Sequence, residues 1–358
     1  MDGLLKTWTE QVRQCAADGT PLQLRGGGSK DFYGHSSVGE VLNTREWRGL
    51  VSYEPTELVV TVRAGTPLAE LEAELAASGQ YLPFEPPHFA QTGAIATVGG
   101  MVAAGLSGPA RLQVGAVRDY ILGAELLNGR GELLRFGGQV MKNVAGYDVA
   151  RVLAGSLGTL GVITEVSLKV LPLPVAEATL VFECDEAQAL IQMQAWLGSP
   201  LPVNASCWHE GALSVRLRGA RAAIETAQGT MGGQLLAPEM ATALWRAVRE
   251  QTAPFFQLQP DECLVRVSVA DTTPPLSSGP TLLEWGGAQR WLKLKDKDTT
   301  TLAALRRGLG HATVFRSARK PEAVFSPLSP SLMAISHRMK KNFDPAGIFN
   351  RGRMYPEW

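Results

Sequence analysis

Glycine constrains this chain most, through where it falls. Of 38 glycines in 358 residues, 25 lie in residues 1–175 and 13 in the rest. Three groups stand out: Gly26-Gly27-Gly28, Gly99-Gly100 with Gly105, and Gly155, Gly158 and Gly161. Glycine admits positive φ and lets backbone come close to a ligand, at an entropic cost elsewhere. Turns alone explain any one of these loops. Three in one half of the chain favour a binding surface made of main chain.

The length predicts two domains, or one large domain with an insertion. Lys+Arg and Asp+Glu balance at 34 each, which argues against a general nucleic-acid binder. The four cysteines, Cys15, Cys184, Cys207 and Cys263, are far apart and form no CxxC. Spacing of that kind supplies neither an iron–sulfur nor a zinc site, and reduced thiols place the chain in the cytoplasm. The N-terminus has no basic region, long apolar core or cleavage site, and reads as an amphipathic helix with Leu4, Leu5, Trp8 and Val12 on one side. An uncharged stretch runs from Phe89 to Ala110, but Gly93, Gly99, Gly100, Gly105, Gly108 and Pro109 interrupt it. It reads as a buried, glycine-rich ligand segment rather than a membrane span.

In the first half, strands are predicted at 21–25, 41–44, 49–53 and 58–65, and a helix over 68–79 after Pro67. Residues 118–138 read as a hairpin about Asn128-Gly129-Arg130-Gly131. Residues 140–174 read as a loop, short helix, glycine turn and long strand. From 175 strands and helices interleave: strands at 178–185, 212–219, 263–270 and 311–317, helices at 186–198, 220–233, 238–251 and 299–310, and a hairpin over 282–295. The pattern suggests an α+β domain on an antiparallel sheet. A short helix over 331–343 opens the tail. The expected domains are 1–174, 175–330 and 331–358.

The loops fit two familiar phosphate motifs poorly. Gly26-Gly27-Gly28-Ser29-Lys30 lacks the GxxxxGK[ST] spacing. Gly155, Gly158 and Gly161 are spaced GxxGxxG and lead into a strand, not a helix. A different dinucleotide site fits better. Gly26–Lys30 supplies successive N–H donors for a pyrophosphate, and Arg25 and Lys30 add charge. Thr97–Gly100 with Ala103, Ala104, Gly105 and Ser107 makes a second main-chain wall, and Gly158–Thr164 a third. A bulky residue at Gly27 or Gly28 would then place a Cβ in the phosphate path.

In order, the segments LRGGGSKDFYG, LVVTVRAGTPLAELEAELAASG, TVGGMVAAGLSG, VRDYILGAELLNGRGELLRFGG and GYDVARVLAGSLGTLGVITEVSLKVLPLP resemble the flavin-binding domain of the vanillyl-alcohol-oxidase (PCMH-type) superfamily, in its FAD-linked oxidase branch. The tail MKKNFDPAGIFNRGRMY resembles that branch's C-terminal signature. The resemblance implies a PCMH-type FAD-binding domain of two α+β subdomains. A smaller α+β domain with an antiparallel sheet follows, and a C-terminal segment returns to the flavin domain. It implies FAD, with Gly26, Gly27, Gly28, Ser29 and Lys30 at the pyrophosphate and Thr97, Gly99, Gly100 and Ser107 along the adenine–ribityl and ring path. Gly158, Gly161 and Ile163 would offer main chain to the flavin, and Asn350 would approach it. Within the branch, the resemblance points to FAD-binding subunits of glycolate-oxidising complexes. These work beside a paralogous FAD-containing catalytic subunit and an iron–sulfur subunit, with peripheral attachment to the inner membrane through partners.

The chain departs from the branch at instructive places. Where many members attach FAD through a His, Ser29 and Lys30 stand, and His35 lies past the motif; non-covalent FAD is the expectation. Gly-Ser-Glu-Gly is here Gly155-Ser156-Leu157-Gly158, and Asn-Pro-Gly is Asn350-Arg351-Gly352. The Glu-His pair that 2-hydroxy-acid dehydrogenases of the branch carry before the tail is absent from 311–330. His35, His88, His209, His311 and His337 have no metal-ligand spacing. Oxidising a 2-hydroxy acid needs a base for the hydroxyl, a hydride acceptor and a cation for the carboxylate. Arg290, Arg316 and Arg319 are candidates for the last, and no residue stands out as the base. Three readings remain open: a subunit of a glycolate-dehydrogenase complex, an autonomous D-2-hydroxy-acid dehydrogenase, and a non-catalytic scaffold.

Overall fold

The structure, a computed structural model, describes residues 2–90, 93–138, 148–276, 279–308 and 310–358. The predicted loop at 140–147 falls outside them. Two large sheets organise the rest. The first orders its strands Leu50–Glu54, Val59–Arg63, Val162–Lys169, Ile121–Leu127 and Leu133–Gly137, with every neighbouring pair antiparallel. β-Branched residues dominate its centre, where Val60, Val62 and Val166 are fully buried beside Leu168. The helix Leu68–Ala77 lays Leu68, Leu71 and Leu75 on this core, a spacing of three and four residues that keeps one face apolar. A separate parallel pair, Leu22–Arg25 with Glu40–Asn43, packs beside the N-terminal helix Asp2–Asp18 through Trp8 and Val12.

The second sheet has eight antiparallel strands. Its order is Gln234–Leu235, Ala176–Glu183, Ala212–Gly219, Val203–His209, Thr281–Glu284, Gln289–Lys295, Glu262–Ser268 and His311–Ser317. Alternation along each strand splits its side chains between two faces. Trp208 and Leu283 face the helices Glu186–Leu197 and Arg221–Met231. Cys207 and Leu282 face the other way, into a cluster with Tyr33, Phe89, Ala104, Leu106 and Leu157 of the first half. The two halves therefore share a continuous apolar core.

A buried ion cluster crosses the same boundary. Glu85 accepts from Arg216 Nη2 (2.7 and 2.8 Å), Arg218 Nη1 (2.7 Å) and the Ala110 amide (3.2 Å). Burial alone would raise its pKa, but Arg216 and Arg218 outweigh that and hold it below the usual carboxylate value. The C-terminal segment returns to the start of the chain. After the helix Pro330–Phe343, Phe349 forms a parallel bridge with Leu22, and the Asn350 amide donates to the Leu22 carbonyl at 2.9 Å.

Two elements have weak local signals. The strand Val203–His209 is absent from the reading above because VNASCWH carries one β-branched residue; pairing on both sides makes it a strand. The helix Val98–Ala104 contains Gly99 and Gly100 and lies inside the stretch read as a main-chain wall. Thr97 caps it, accepting from the Gly100 amide at 3.2 Å.

Candidate functional site

The strand Leu22–Arg25 ends in the Gly26–Lys30 loop, which is pinned against the segment before Thr97. The Ile95 amide donates to the Gly27 carbonyl at 3.0 Å. A Cβ on Gly27 would sit 1.8 Å from the Ile95 carbonyl oxygen, and one on Gly26 would sit 2.5 Å from Thr97 Oγ1. These glycines are thus required by close backbone approach. At Gly27 the clash with Ile95 arises from the protein's own backbone, whatever lies in the phosphate path. At Gly28 the constraint is φ of +78°, with Arg25 and Asp31 beside it. Because the loop is held by its carbonyls, the N–H groups of Gly26, Gly27 and Gly28 donate to no protein acceptor among the described residues. Successive unpaired amides make a concave site for anionic oxygen.

The loop forms one bank of a groove. Ile95, Thr97, Gly100, Ala103, Ala104 and Leu157 face it, and beyond them the groove continues past Thr44, Ala64, Gly99, Gly158, Gly161 and Ile163. Of the fourteen residues singled out in the sequence, thirteen line this groove: Arg25, Gly26, Gly27, Gly28, Ser29, Lys30, Thr97, Gly99, Gly100, Gly158, Gly161, Ile163 and Asn350. Ser107 does not. Its Oγ accepts from the Val117 amide at 3.3 Å, and it faces a separate pocket toward the second sheet.

Several of the thirteen act by shaping the groove. Gly99 donates its amide to the Ala64 carbonyl at 2.7 Å. Asn350 Oδ1 accepts from the Leu24 amide at 2.8 Å and its Nδ2 donates to the Leu157 carbonyl at 2.6 Å. The side chain therefore clamps the first strand to the Gly158 turn. Asn350 does so at φ of +40°, which asparagine tolerates better than most residues.

Three cations line the groove. Arg25 is tied to Asp31 at 2.7 Å. Lys30 is half-buried over the Phe89 ring with no ion pair among the described residues; desolvation lowers its pKa to about 8, partly opposed by Glu250. Arg353, not singled out in the sequence, donates to the Lys30 carbonyl at 3.1 Å. The signal available for it was its place in the tail segment MKKNFDPAGIFNRGRMY. No His, Cys or Tyr lines the groove among the described residues. His35 instead contacts the backbone of Glu322 and Val324.

Two of the three expected carboxylate clamps are engaged elsewhere. Arg290 is fully buried and donates to the carbonyls of Gly287, Pro274 and Thr273, which makes it a loop anchor. Arg316 donates to Gln251 and stacks over Phe32. Arg319 is exposed.

Residues 8–137 match the family described as "FAD binding domain". The chain is 45% identical over 349 residues to glycolate oxidase subunit GlcE of Escherichia coli (strain K12), covering 97% of this chain and 96% of that protein. The chain belongs to the GlcE family of FAD-linked oxidoreductases. Its cofactor is FAD. More distant relatives match about half of this chain and 37% of their own length: glycolate oxidase subunit GlcD of Bacillus subtilis (strain 168) at 30% identity, and a D-lactate dehydrogenase of Anaerostipes hadrus at 28%. A solved alkyldihydroxyacetonephosphate synthase superposes with a TM-score of 0.64 at 15% identity, covering 96% of this chain and 73% of that one. No helix among the described residues is long and apolar enough to cross a membrane.

Proposed function

We propose that this GlcE-family chain holds FAD non-covalently along the glycine groove and is the flavoprotein subunit of a multi-subunit dehydrogenase that oxidises glycolate to glyoxylate. The observation that carries the cofactor placement is the run of unpaired amides at Gly26–Gly28, with Lys30 and Arg353 beside them. Such donors suit the two charges of a pyrophosphate. The Gly158–Gly161 turn and Ile163 supply an apolar, main-chain bank for a flat ring. The absence of His, Cys and Tyr from the described lining supports a non-covalent link.

Bound FAD supplies the hydride acceptor. The protein's part is to orient and to exclude water. Asn350 fixes the two banks against each other, and Lys340 holds the same turn through the Thr159 carbonyl at 2.7 Å.

Complex formation is supported by the relatives, which carry the name glycolate oxidase subunit. Electrons would leave through a partner's iron–sulfur clusters, since the cysteines here are free and stand on separate elements. The partners expected are a paralogous FAD-containing catalytic subunit and that iron–sulfur subunit, on the cytoplasmic side and peripheral to the membrane. Co-purification of the untagged complex, with flavin and iron counted per chain, tests the reading. One acid-releasable flavin in this chain, with all iron in another, is the expected result. Dye reduction by glycolate with this chain alone would make it an autonomous dehydrogenase. A colourless chain that takes up no FAD would overturn the placement.

A further inference from the structure

A cavity of about 670 Å³ lies away from the glycine groove, at one end of the second sheet. Pockets that take organic ligands usually measure about 300–1,000 Å³. The strands Glu262–Ser268, Gln289–Lys295 and His311–Ser317 give the cavity its floor, where Cys263, Leu294 and Val314 share one face. The helix Thr299–Gly308 covers the middle of that face with Leu305. Leu302, one turn nearer the helix start, is only half-buried and forms an apolar wall of the cavity.

The rim is charged, and its charges are unequally matched. Lys295 pairs with Asp261 (3.0 Å) and Glu262 (3.6 Å), Asp296 accepts from Ser317 Oγ at 2.9 Å, and Asp298 accepts from the Thr301 amide at 2.9 Å. Lys297 on one side, and Arg319 and Lys320 on the other, have no carboxylate within 4 Å among the described residues. Glu322 is the acid of the lining left unmatched. Lys320 donates to the Phe32 carbonyl and, at 2.6 Å, to the Gly34 carbonyl. An ammonium has three donors, so one remains. Desolvation, with Arg353 adding to it and Asp31 opposing, lowers the Lys320 pKa to about 8. Phe32 and Gly34 follow closely on the Gly26–Lys30 loop, and His35 of the same stretch meets the backbone of Glu322 and Val324. The segment after Ser317 therefore buttresses the glycine loop from outside.

We propose that this cavity is an effector site for an organic anion with a bulky apolar body. The body covers Cys263, Leu294, Leu302 and Val314 and removes their remaining surface from water. The anionic head meets Lys297, Arg319 and the free donor of Lys320. Charge selects the ligand's sign, since three unmatched cations face one unmatched acid. Neither feature would suffice alone: unpaired cations stand on many surfaces, and an apolar hollow names no ligand. An anion so held steadies Arg319 and Lys320, and through Lys320 the Phe32 and Gly34 carbonyls. FAD and the anion should then bind more tightly together than apart, each to the same degree. That coupling rests on the FAD placement proposed above; the cavity does not.

The test is calorimetric titration of the chain, with and without FAD, using anilinonaphthalene sulfonate and phenylnaphthylamine, which has the same rings without the sulfonate. The sulfonate is expected to bind about tenfold more tightly than the amine. Lys297→Gln and Arg319→Gln together remove two exposed cations. That double variant should bring the sulfonate to the level of the amine and leave the amine unchanged, a pattern that a general loss of fold would not give. Leu302→Trp fills the cavity and should weaken both probes. FAD should be held severalfold more tightly in the presence of the sulfonate, and Lys320→Met should abolish that difference. Equal affinity for the two probes, or a sulfonate affinity unchanged in the double variant, would overturn the proposal. Binding of neither probe would overturn it as well, and would leave the cavity to the side chains of a partner subunit. An FAD dissociation constant indifferent to the sulfonate would overturn the coupling. A chain that binds the sulfonate through these residues but takes up no FAD keeps the cavity and loses the FAD placement.

Discussion

Gly27 shows how much a single residue carries here. Its missing side chain lets the loop backbone approach Ile95 and turns three amides outward. Gly27→Ala puts a Cβ at 1.8 Å from a carbonyl oxygen, which the backbone must move to relieve. Overpacking of that kind costs about 1–3 kcal/mol or more. Flavin absorbance per purified chain should fall severalfold. Gly3→Ala, in the N-terminal helix with nothing within 4 Å, is the matched control. It should leave flavin content unchanged and stabilise by up to ~1 kcal/mol in urea unfolding. The glycine runs made this loop legible in the sequence, but not the reason for them, because Ile95 lies far along the chain from Gly27. The cavity rimmed by Lys297, Arg319 and Lys320 was illegible for a similar reason. No motif joins its two sides, and only strand pairing brings them together.

At the scale of elements, the returning tail is held by a buried charge. Lys340, on the helix Pro330–Phe343, donates to Asp344 Oδ2 (2.6 Å) and to the carbonyls of Thr159 (2.7 Å) and Phe349 (3.0 Å). Asp344 also accepts from the Ile348 and Phe349 amides. The helix end, the tail and the Gly158 turn therefore meet at one ammonium. Lys340→Met keeps the stem but leaves Asp344 without its countercharge. Removing one partner of a buried pair costs about 3–5 kcal/mol. Chemical denaturation should show that loss. FAD affinity should weaken as well, because Asn350, which clamps the groove, sits on the segment that Lys340 anchors. Unchanged FAD affinity at lowered stability would separate the tail from the groove. The helix and the tail's resemblance to the branch signature could be read from sequence. Their closure on Thr159 could not, since nothing near Lys340 in the chain marks a distant carbonyl as its partner.

At the scale of the whole molecule, two buried carboxylates near the join between the halves make stability depend on pH in opposite ways. Glu85 has a folded pKa held below its usual 4.5 by Arg216 and Arg218 against the pull of burial. The stability it contributes is complete above pH 4.5 and is lost as pH falls through the folded value. Glu284 behaves inversely. Its folded pKa is raised by burial from 4.5 to about 7, so between these values the folded protein holds a proton that the unfolded chain has released. Stability therefore falls as pH rises through that window, by about 3 kcal/mol in all at 1.36 kcal/mol per unit. For these two groups the optimum lies near the lower edge of the window. A series of melting temperatures against pH checks both slopes at once. Glu284→Gln should flatten the decline between pH 4.5 and about 7 while leaving the acid limb intact. Glu85→Gln should remove the acid limb and lower stability at the pH values above it, because Arg216 and Arg218 lose the carboxylate that neutralises them across the join. Since the halves also share the Tyr33–Phe89–Phe315 cluster, Glu85→Gln should still unfold in one transition; two resolved transitions would show that the ion cluster, rather than the apolar core, couples them.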